Sequence, residues 1–376
     1  MKSQKWIMLA AVALLASLTT ARLFAEDSAH NSGHVITFDA PGASVAQGGT
    51  VPLANNDWGT IVGYYTDKHV VPHAFVRLPW GQFISFQAPG AGTGHGLDQG
   101  TVAFAINDKG AIAGQLENSS NVFRAFVRSP EGKFRVFDAP GTGTGAGQGT
   151  LAFDINPEGK TAGISIDGSN TVHGFVQLQD TQIVTFDPDG SIYTYVCEET
   201  CLNPEGWATG FFLDANLTFH GFLRAPDGDI TIVDAPGAGT GNYLGTTAGS
   251  INVEGAITGY VVGSDGLYHG FLRSPSGEFK IFEAPGAGTG NNQGTVAYSI
   301  NVFGATTGQV TDASGANHGF SRSPWGRFAT FDAPGAGAGG TQGTRPSTNN
   351  AAGEVTGWYI DQKGGTHGFL WFPCEE

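Results

Sequence analysis

The chain has 376 residues, 33 Asp and Glu against 18 Lys and Arg, a formal net charge of −15 at pH 7, 59 glycines and three cysteines. That acidity argues against nucleic acid, whose phosphates are held by clustered Lys and Arg. Three cysteines are too few for a disulfide scaffold, and an internal repeat overrides the two or three domains that length alone would suggest.

Residues 1–25 read as a secretory signal, with Lys2 and Lys5 before an apolar stretch from Trp6 to Thr20 and a cleavage site after Leu23-Phe24-Ala25. The apolar run is 15 residues and contains Ser17 and Thr19, short for a membrane span, and no second such run follows. The chain is therefore expected to be secreted or periplasmic and not membrane-spanning. Cleavage removes Lys2, Lys5 and Arg22 but no acid, taking the charge from −15 to −18. Residues 26–33 read as a linker and 34–373 as one domain.

Within that domain one spacing rule, Asn-x2-Gly-x3-Gly-x11-Phe-x10-Phe, starts at Asn56, Asn107, Asn156, Asn203, Asn252, Asn301 and Asn350. The Asn, both Gly and the first Phe hold in every copy. The last Phe is Val233 in copy four, and copy seven ends before reaching it. Each copy contains four β-type runs, A to D, between turn signals rich in Gly and Asn. In copy five they are Thr246–Ile251, Ala256–Val262, His269–Arg273 and Glu278–Glu283. No run has helical periodicity. Four antiparallel strands per copy of 47 to 51 residues predict an all-β, seven-bladed β-propeller. A parallel β-helix has shorter repeats whose strands are not hairpin-linked. Val35 to Pro41 reads as a strand D with no A, B or C before it, and the chain ends after a strand C at His367–Trp371. The N-terminal strand is thus expected to complete the seventh blade, closing the ring and removing an open edge. Length differences fall between the last Phe position and the next Asn, in the D-to-A connection, which shares a face with the B–C turn. Loop variation on one face of a scaffold marks the expected binding face.

The D-to-A connection reads Phe-Asp-Ala-Pro-Gly-Ala-Gly-Thr-Gly, then Gln-Gly-Thr; without a Gly-Lys-Ser/Thr opening a helix it is no phosphate cradle but a tight crossing loop. His73, His173, His220, His269, His318 and His367 precede the strand C Phe by two residues, with Arg124 in copy two. Asp67, Asp167, Asp214, Asp312 and Asp361 follow the second Gly by four. A His and an Asp across one turn invite a metal or catalytic reading. Repetition favours a structural hydrogen-bond network, since an enzyme needs one asymmetric site. Strand A alternates small and bulky, as Thr101, Ala103 and Ala105 against Val102, Phe104 and Ile106. Asp154 and Glu199 border the channel on adjacent blades and are weak metal candidates; no cofactor is predicted, and calcium is the cation left open there.

Copy four deviates, with a short loop at Asp187-Pro188-Asp189-Gly190, no Gln-Gly-Thr, and a strand A read as Cys197-Glu198-Glu199-Thr200-Cys201. In a regular strand those cysteines lie about 13 Å apart at about 3.3 Å per residue, beyond the roughly 7 Å a disulfide spans. Either they are unbonded or the strand is broken; the state of Cys374 is open. Trp58, Trp207, Trp80 and Trp325 fall in or beside A–B and C–D turns on the opposite face. There they can stack on sugars, anchor a protein or cover blade ends.

Ile106-Asn107-Asp108-Lys109-Gly110, His73-Ala74-Phe75 and the later His-Gly-Phe triplets resemble the HAF-type extracellular repeat family of bacteria, over about residues 34 to 373. Six copies keep the His and Arg124 departs from it. The resemblance implies an exported repeat protein with a propeller-like fold and no established activity. Three functions follow as expectations. The first is a secreted, monomeric, non-catalytic binding module, multivalent for a glycan or a surface protein. The second is a propeller lyase or hydrolase with Asp154, Glu199 and copy four at one channel end. The third is a purely structural envelope protein.

Overall fold

The computed structural model describes residues 33–95, 99–179, 182–196 and 200–374. The signal segment, Cys197 and Glu199 lie outside the described residues. The described chain is all-β, with 28 strands and one three-residue 3-10 turn at Val45–Gln47. Among the described residues no helix is long and apolar enough to cross a membrane.

Copy five shows the unit. Strands Gly245–Ile251, Ile257–Val262, Tyr268–Arg273 and Phe279–Phe282 pair antiparallel in sequence order. These ranges match the predicted runs to within a residue at each end. At four seams neighbouring copies touch through a single parallel bridge from strand C to the next strand A, at Phe123↔Gly149, Phe219↔Gly245, Tyr268↔Gly294 and Asn317↔Gly343. Hydrogen bonding thereby groups the strands into sheets of 16, 8 and 4. In copy one the bridging position is Pro72, which has no N–H to donate, and no such bridge joins copies one and two.

The spacing rule now has physical causes. The first Gly closes the A–B turn with positive φ, for example +81° at Gly255 and +84° at Gly304, a conformation costly for other L-residues. The second Gly faces a β-bulge that recurs in strand A, between Ala103 and Ala105, Ala248 and Ser250, Ala297 and Ser299. A Cβ at Gly114, Gly259 or Gly308 would overlap the carbonyl oxygen of Val102, Thr247 or Val296. The bulge interrupts the simple alternation read for strand A, because Phe104 is its extra residue, and it bends the strand. The strand C Phe is the core residue: Phe75, Phe126, Phe175, Phe222, Phe271, Phe320 and Phe369 are each 0% exposed. Phe271→Ala is expected to cost about 3–5 kcal/mol by chemical denaturation; a loss under about 1 kcal/mol would contradict that placement.

Copies also interlock. The residue two past the Phe lies over the strand D Phe of the preceding copy: Arg77 on Phe38 at 4.5 Å, Arg128 on Phe86 at 4.8 Å, Arg224 on Phe186 at 5.0 Å and Arg322 on Phe282 at 4.9 Å. Trp371 takes this place in copy seven, stacked on Phe331 at 4.8 Å. These are cation–π and aromatic contacts in a desolvated seam.

The asparagines do more than turn the chain. Each side-chain oxygen accepts backbone N–H groups of its own A–B turn, as Asn107 does from Lys109 and Ala111. In six copies its amide also donates to the backbone carbonyl of the next copy's Asn: Asn56 to Asn107 at 3.2 Å, Asn107 to Asn156 at 2.9 Å, Asn156 to Asn203 at 3.1 Å, Asn252 to Asn301 at 3.2 Å and Asn301 to Asn350 at 2.9 Å. Asn350, the sixth, donates back to Asn56 at 3.1 Å. The first and last strands meet as well. His34–Phe38 pairs antiparallel with Thr366–Phe372, setting Phe38 opposite Gly368 as Phe331 stands opposite Gly319. Phe38 supplies the Phe that copy seven lacks.

Copy four corrects two expectations. Its inner strand is Tyr193–Val196, not the stretch from Cys197 to Cys201. Past residues 197–199, which lie outside the described residues, Leu202 pairs with Ala208 in an isolated bridge. Length variation is therefore not confined to the D-to-A loop: copy four shortens that loop and lengthens the segment between strand A and its Asn. Cys201 is disulfide-bonded, with a partner outside the described residues, and Cys374 is free and exposed. Of the two alternatives for the cysteines, the broken strand holds.

Candidate functional site

Three places gather polar or aromatic side chains. The first is the face carrying the D-to-A loops and B–C turns. Each B–C Asp accepts two backbone N–H groups of its own turn, as Asp167 does from Ser169 at 2.8 Å and Thr171 at 2.9 Å. Its other oxygen faces the repeat His: Asp67–His73 at 3.3 Å, Asp167–His173 at 3.5 Å, Asp214–His220 at 3.8 Å, Asp312–His318 at 3.3 Å and Asp361–His367 at 3.6 Å. Reading the sequence did not reveal the second partner. The Nδ1 of the same imidazole meets the acid that opens the D-to-A loop: Asp187 on His173 at 2.6 Å, Asp234 on His220 at 2.9 Å, Asp332 on His318 at 2.9 Å and Asp39 on His367 at 3.0 Å. Glu283 does this for His269, and Gln87 for His73 at 2.9 Å. In copy two, Arg124 grips Asp138 at 2.7 Å, the charge-equivalent pair. The signal was legible: within copies one to six this partner always stands 14 residues after the His or Arg.

The threonine that opens strand A completes each node. Thr295 donates to Glu283 at 2.8 Å and Thr344 to Asp332 at 3.3 Å, while Ala284 and Ala333 N–H donate to the same hydroxyls at 2.9 Å. Copy four keeps this threonine as Thr194, which donates to Asp187 at 2.6 Å. These nodes tie a loop, a turn and an inner strand together. His73 and His318 are hydrogen-bonded at both ring nitrogens, which makes them poor metal ligands in their present geometry.

The nodes also set protonation. A hydrogen bond to Asp332 raises His318 to about 9 against the cost of burial. Burial opposes it, but hydrogen bonds from Ser314, His318 and two backbone N–H groups hold Asp312 down to about 2. For His173, burial is likewise outweighed by Asp187 and Asp167, which raise it. A His raised above its unfolded value of about 6.5 stabilises fully below that pH, and the contribution is lost as pH rises through its folded value. Between about pH 6.5 and pH 9 the melting temperature is expected to fall, and His318→Gln to flatten part of that fall. The pair is partly exposed, so the effect is small. Identical slopes for the two proteins over this window would show that the node is not titrating there.

The second place is the channel mouth on the opposite face, a cavity of about 160 Å³ lined from every copy, including Asp57, Asp108, Asn156, Leu202, Val253 and Asn350. Asp154 borders it but is buried and committed. Its carboxylate accepts N–H groups from Cys201 at 2.8 Å, Leu202 at 2.9 Å and Ile155 at 2.7 Å. Burial pushes its pKa up to about 6 against those three donors. Thr200 continues the tie, its carbonyl accepting from Ile251 N–H at 2.8 Å and its hydroxyl meeting Ser250 at 2.6 Å. Asp154 therefore holds the displaced segment of copy four across its neighbours. Glu199, the other expected channel acid, lies outside the described residues. Among the described residues no three His, Cys, Asp or Glu gather as a metal set.

The third place is the aromatic rim. Trp58, Trp80 and Trp325 are 71%, 74% and 80% exposed. Trp58 donates its indole N–H to Asp108 O at 2.9 Å, across to the next copy. Trp207 is instead half-buried against the cluster of Val233, Ile257 and Phe271. Phe303, 70% exposed, joins the rim unannounced by the tryptophan pattern.

No family model matches the chain, and no curated protein matches it. Among solved structures it is similar to the BP39L lectin from Burkholderia pseudomallei, at 9% identity and a TM-score of 0.54, covering 86% of this chain and 96% of that one. It is also similar to a puromycin hydrolase, at 14% identity and a TM-score of 0.51. That match covers 90% of this chain and 55% of the hydrolase, so the chain spans about half its length. At these identities the likeness is one of fold. The fold is of the β-propeller type.

Proposed function

We propose that the chain is a secreted, non-catalytic carbohydrate-binding module of the HAF-repeat kind, built as a closed seven-bladed propeller. The observation that carries the reading is the repeated His–acid–Thr node. It anchors near-equivalent loops on one face and leaves no nucleophile beside a free base among the described nodes. Return of Asn350 to Asn56 and pairing of the first strand with the last support ring closure. The lectin among the structural neighbours makes a glycan the first ligand class to test. Several weak equivalent sites would raise avidity for a repetitive glycan by about 10²–10⁴ over one site. A structural envelope role accounts for the nodes but not for loops that differ in length on one face.

The hydrolase reading has less support. Asp154, the acid it would use, already accepts three backbone N–H groups. A glycan array followed by titration tests the proposal. Replacing the loop at 89–100 with that of copy four should weaken avidity partially, because the other copies remain. All-or-none loss of an activity on Asp154→Asn, with the fold intact, would instead favour the enzyme.

A further inference from the structure

Ten histidines occur in the sequence. Six sit in the nodes. Of the others, His69 and His95 belong to no repeat position, and they meet. His69 lies in the B–C turn of copy one and His95 in the D-to-A loop that leads into copy two. Their imidazoles stack with centroids 4.1 Å apart and planes 12° from parallel. Both are exposed.

Both ends of this contact are built. His69 N–H donates to Asp67 Oδ1 at 2.8 Å. The next residue, Val70, is held at a φ of 62°, a strained conformation for a β-branched side chain. On the other side Gly94 N–H donates to Gln99 Oε1 at 3.0 Å, and Gln99 reaches Asn121 at 3.0 Å, closing the base of the loop that carries His95. That loop is the longest of its kind, with 14 residues from Gln87 to Thr101 against 12 from Glu283 to Thr295. The pair also spans the seam where Pro72 has removed the backbone bridge between copies one and two.

We infer that His69 and His95 form a site for a divalent transition-metal ion, Zn²⁺, Ni²⁺ or Cu²⁺, that staples copies one and two at the loop face. Imidazole is the ligand these ions share. Two protonated imidazoles this close repel, whereas two neutral ones offer lone pairs to one ion. Tetrahedral zinc with bonds of about 2.0–2.1 Å needs its two nitrogens about 3.4 Å apart with converging lone pairs. In the stack these run parallel in the ring planes, so both exposed imidazoles must turn out of the stack to share one ion. Water completes the coordination, so affinity is modest, in the micromolar range. The site stands independently of any glycan.

The test uses the mature chain with ZnCl₂, NiCl₂ or CuCl₂, read by calorimetry and by thermal shift, since an ion bound only to the folded state raises its stability. One equivalent is expected, with at least about a tenfold weaker Kd in His69→Ala and in His95→Ala. His34→Gln, a histidine elsewhere on the surface, should leave binding unchanged. Copper bound to the wild type should show two nitrogen ligands by electron paramagnetic resonance, a readout independent of whether the variants fold. No binding by the wild type at about 1 mM metal, a single variant that binds like the wild type, equal loss in His34→Gln, or fewer than two nitrogens on copper would each overturn the site.

Discussion

Deletion of residues 34–41 is expected to lower the melting temperature by at least about 5 °C and to turn the protein into a self-associating species. The strand His34–Phe38 makes five register pairs with the last strand, from His34↔Phe372 to Phe38↔Gly368. Its Phe38 lies under the Arg77 guanidinium and against Phe83. Without it, Thr366–Phe372 becomes an unpaired edge, its backbone groups open to another chain, and the buried Arg77 loses the ring it covers. The measurement is thermal unfolding together with light scattering at several concentrations. A truncated protein that melts like the wild type and stays monomeric would rule out the first strand as the element that completes copy seven. Phe38→Ala separates packing from pairing: it should destabilise by about 3 kcal/mol or more without causing association.

Gly259→Ala should be nearly as damaging although it adds one methyl group. Gly259 is opposite Ala248 at the strand A bulge, where a Cβ would overlap the Thr247 carbonyl oxygen and crowd the Phe271 ring. Nothing nearby is a flexible side-chain end; the obstacles are backbone and a fully buried aromatic. We expect a loss of about 3 kcal/mol or more by urea denaturation, at the upper end of overpacking costs. Gly255→Ala, in the adjacent turn, should cost only about 1–2 kcal/mol, because it meets an unfavourable positive φ and no clash. Equal losses at the two positions would mean that the bulge relaxes around the methyl, and that close approach is not why the second glycine recurs.

The node histidines bear on the loop face in a different way. His318 is held from two sides by acids that come from separate elements, so protonation and loop anchoring are one event. The same contacts that raise His318 to about 9 hold Asp332 and Asp312 in place. Ligand affinity on that face, a property of the folded state, should therefore hold until His318 loses its proton near pH 9 and weaken above it.

What was legible in the sequence was whatever a local period writes. The spacing from Asn252 through Gly255, Gly259 and Phe271 to Phe282 placed four strands, their turns and the buried aromatic, because turn geometry and side-chain alternation depend on residues close in the chain. The stray strand at Val35 to Pro41 was readable for the same reason, as a fourth strand without its three predecessors. Contacts between copies were not. That Asn107 donates to Asn156, that Arg322 covers Phe282, and that His318 is held by Asp332 as well as Asp312 depend on which element the fold sets alongside. A fixed spacing hints at such partners without saying that they touch. Copy four was misread because its insertion and its shortened loop nearly cancel in length, and only the ladder shows Tyr193–Val196, not the stretch from Cys197 to Cys201, as the inner strand. Asp154 looked like a channel acid and is a buried anchor, since only tertiary packing decides whether a carboxylate meets solvent or three backbone N–H groups. The stacking of His69 on His95 was beyond any repeat-based reading, because neither residue repeats and only the juxtaposition of two adjacent copies brings them together.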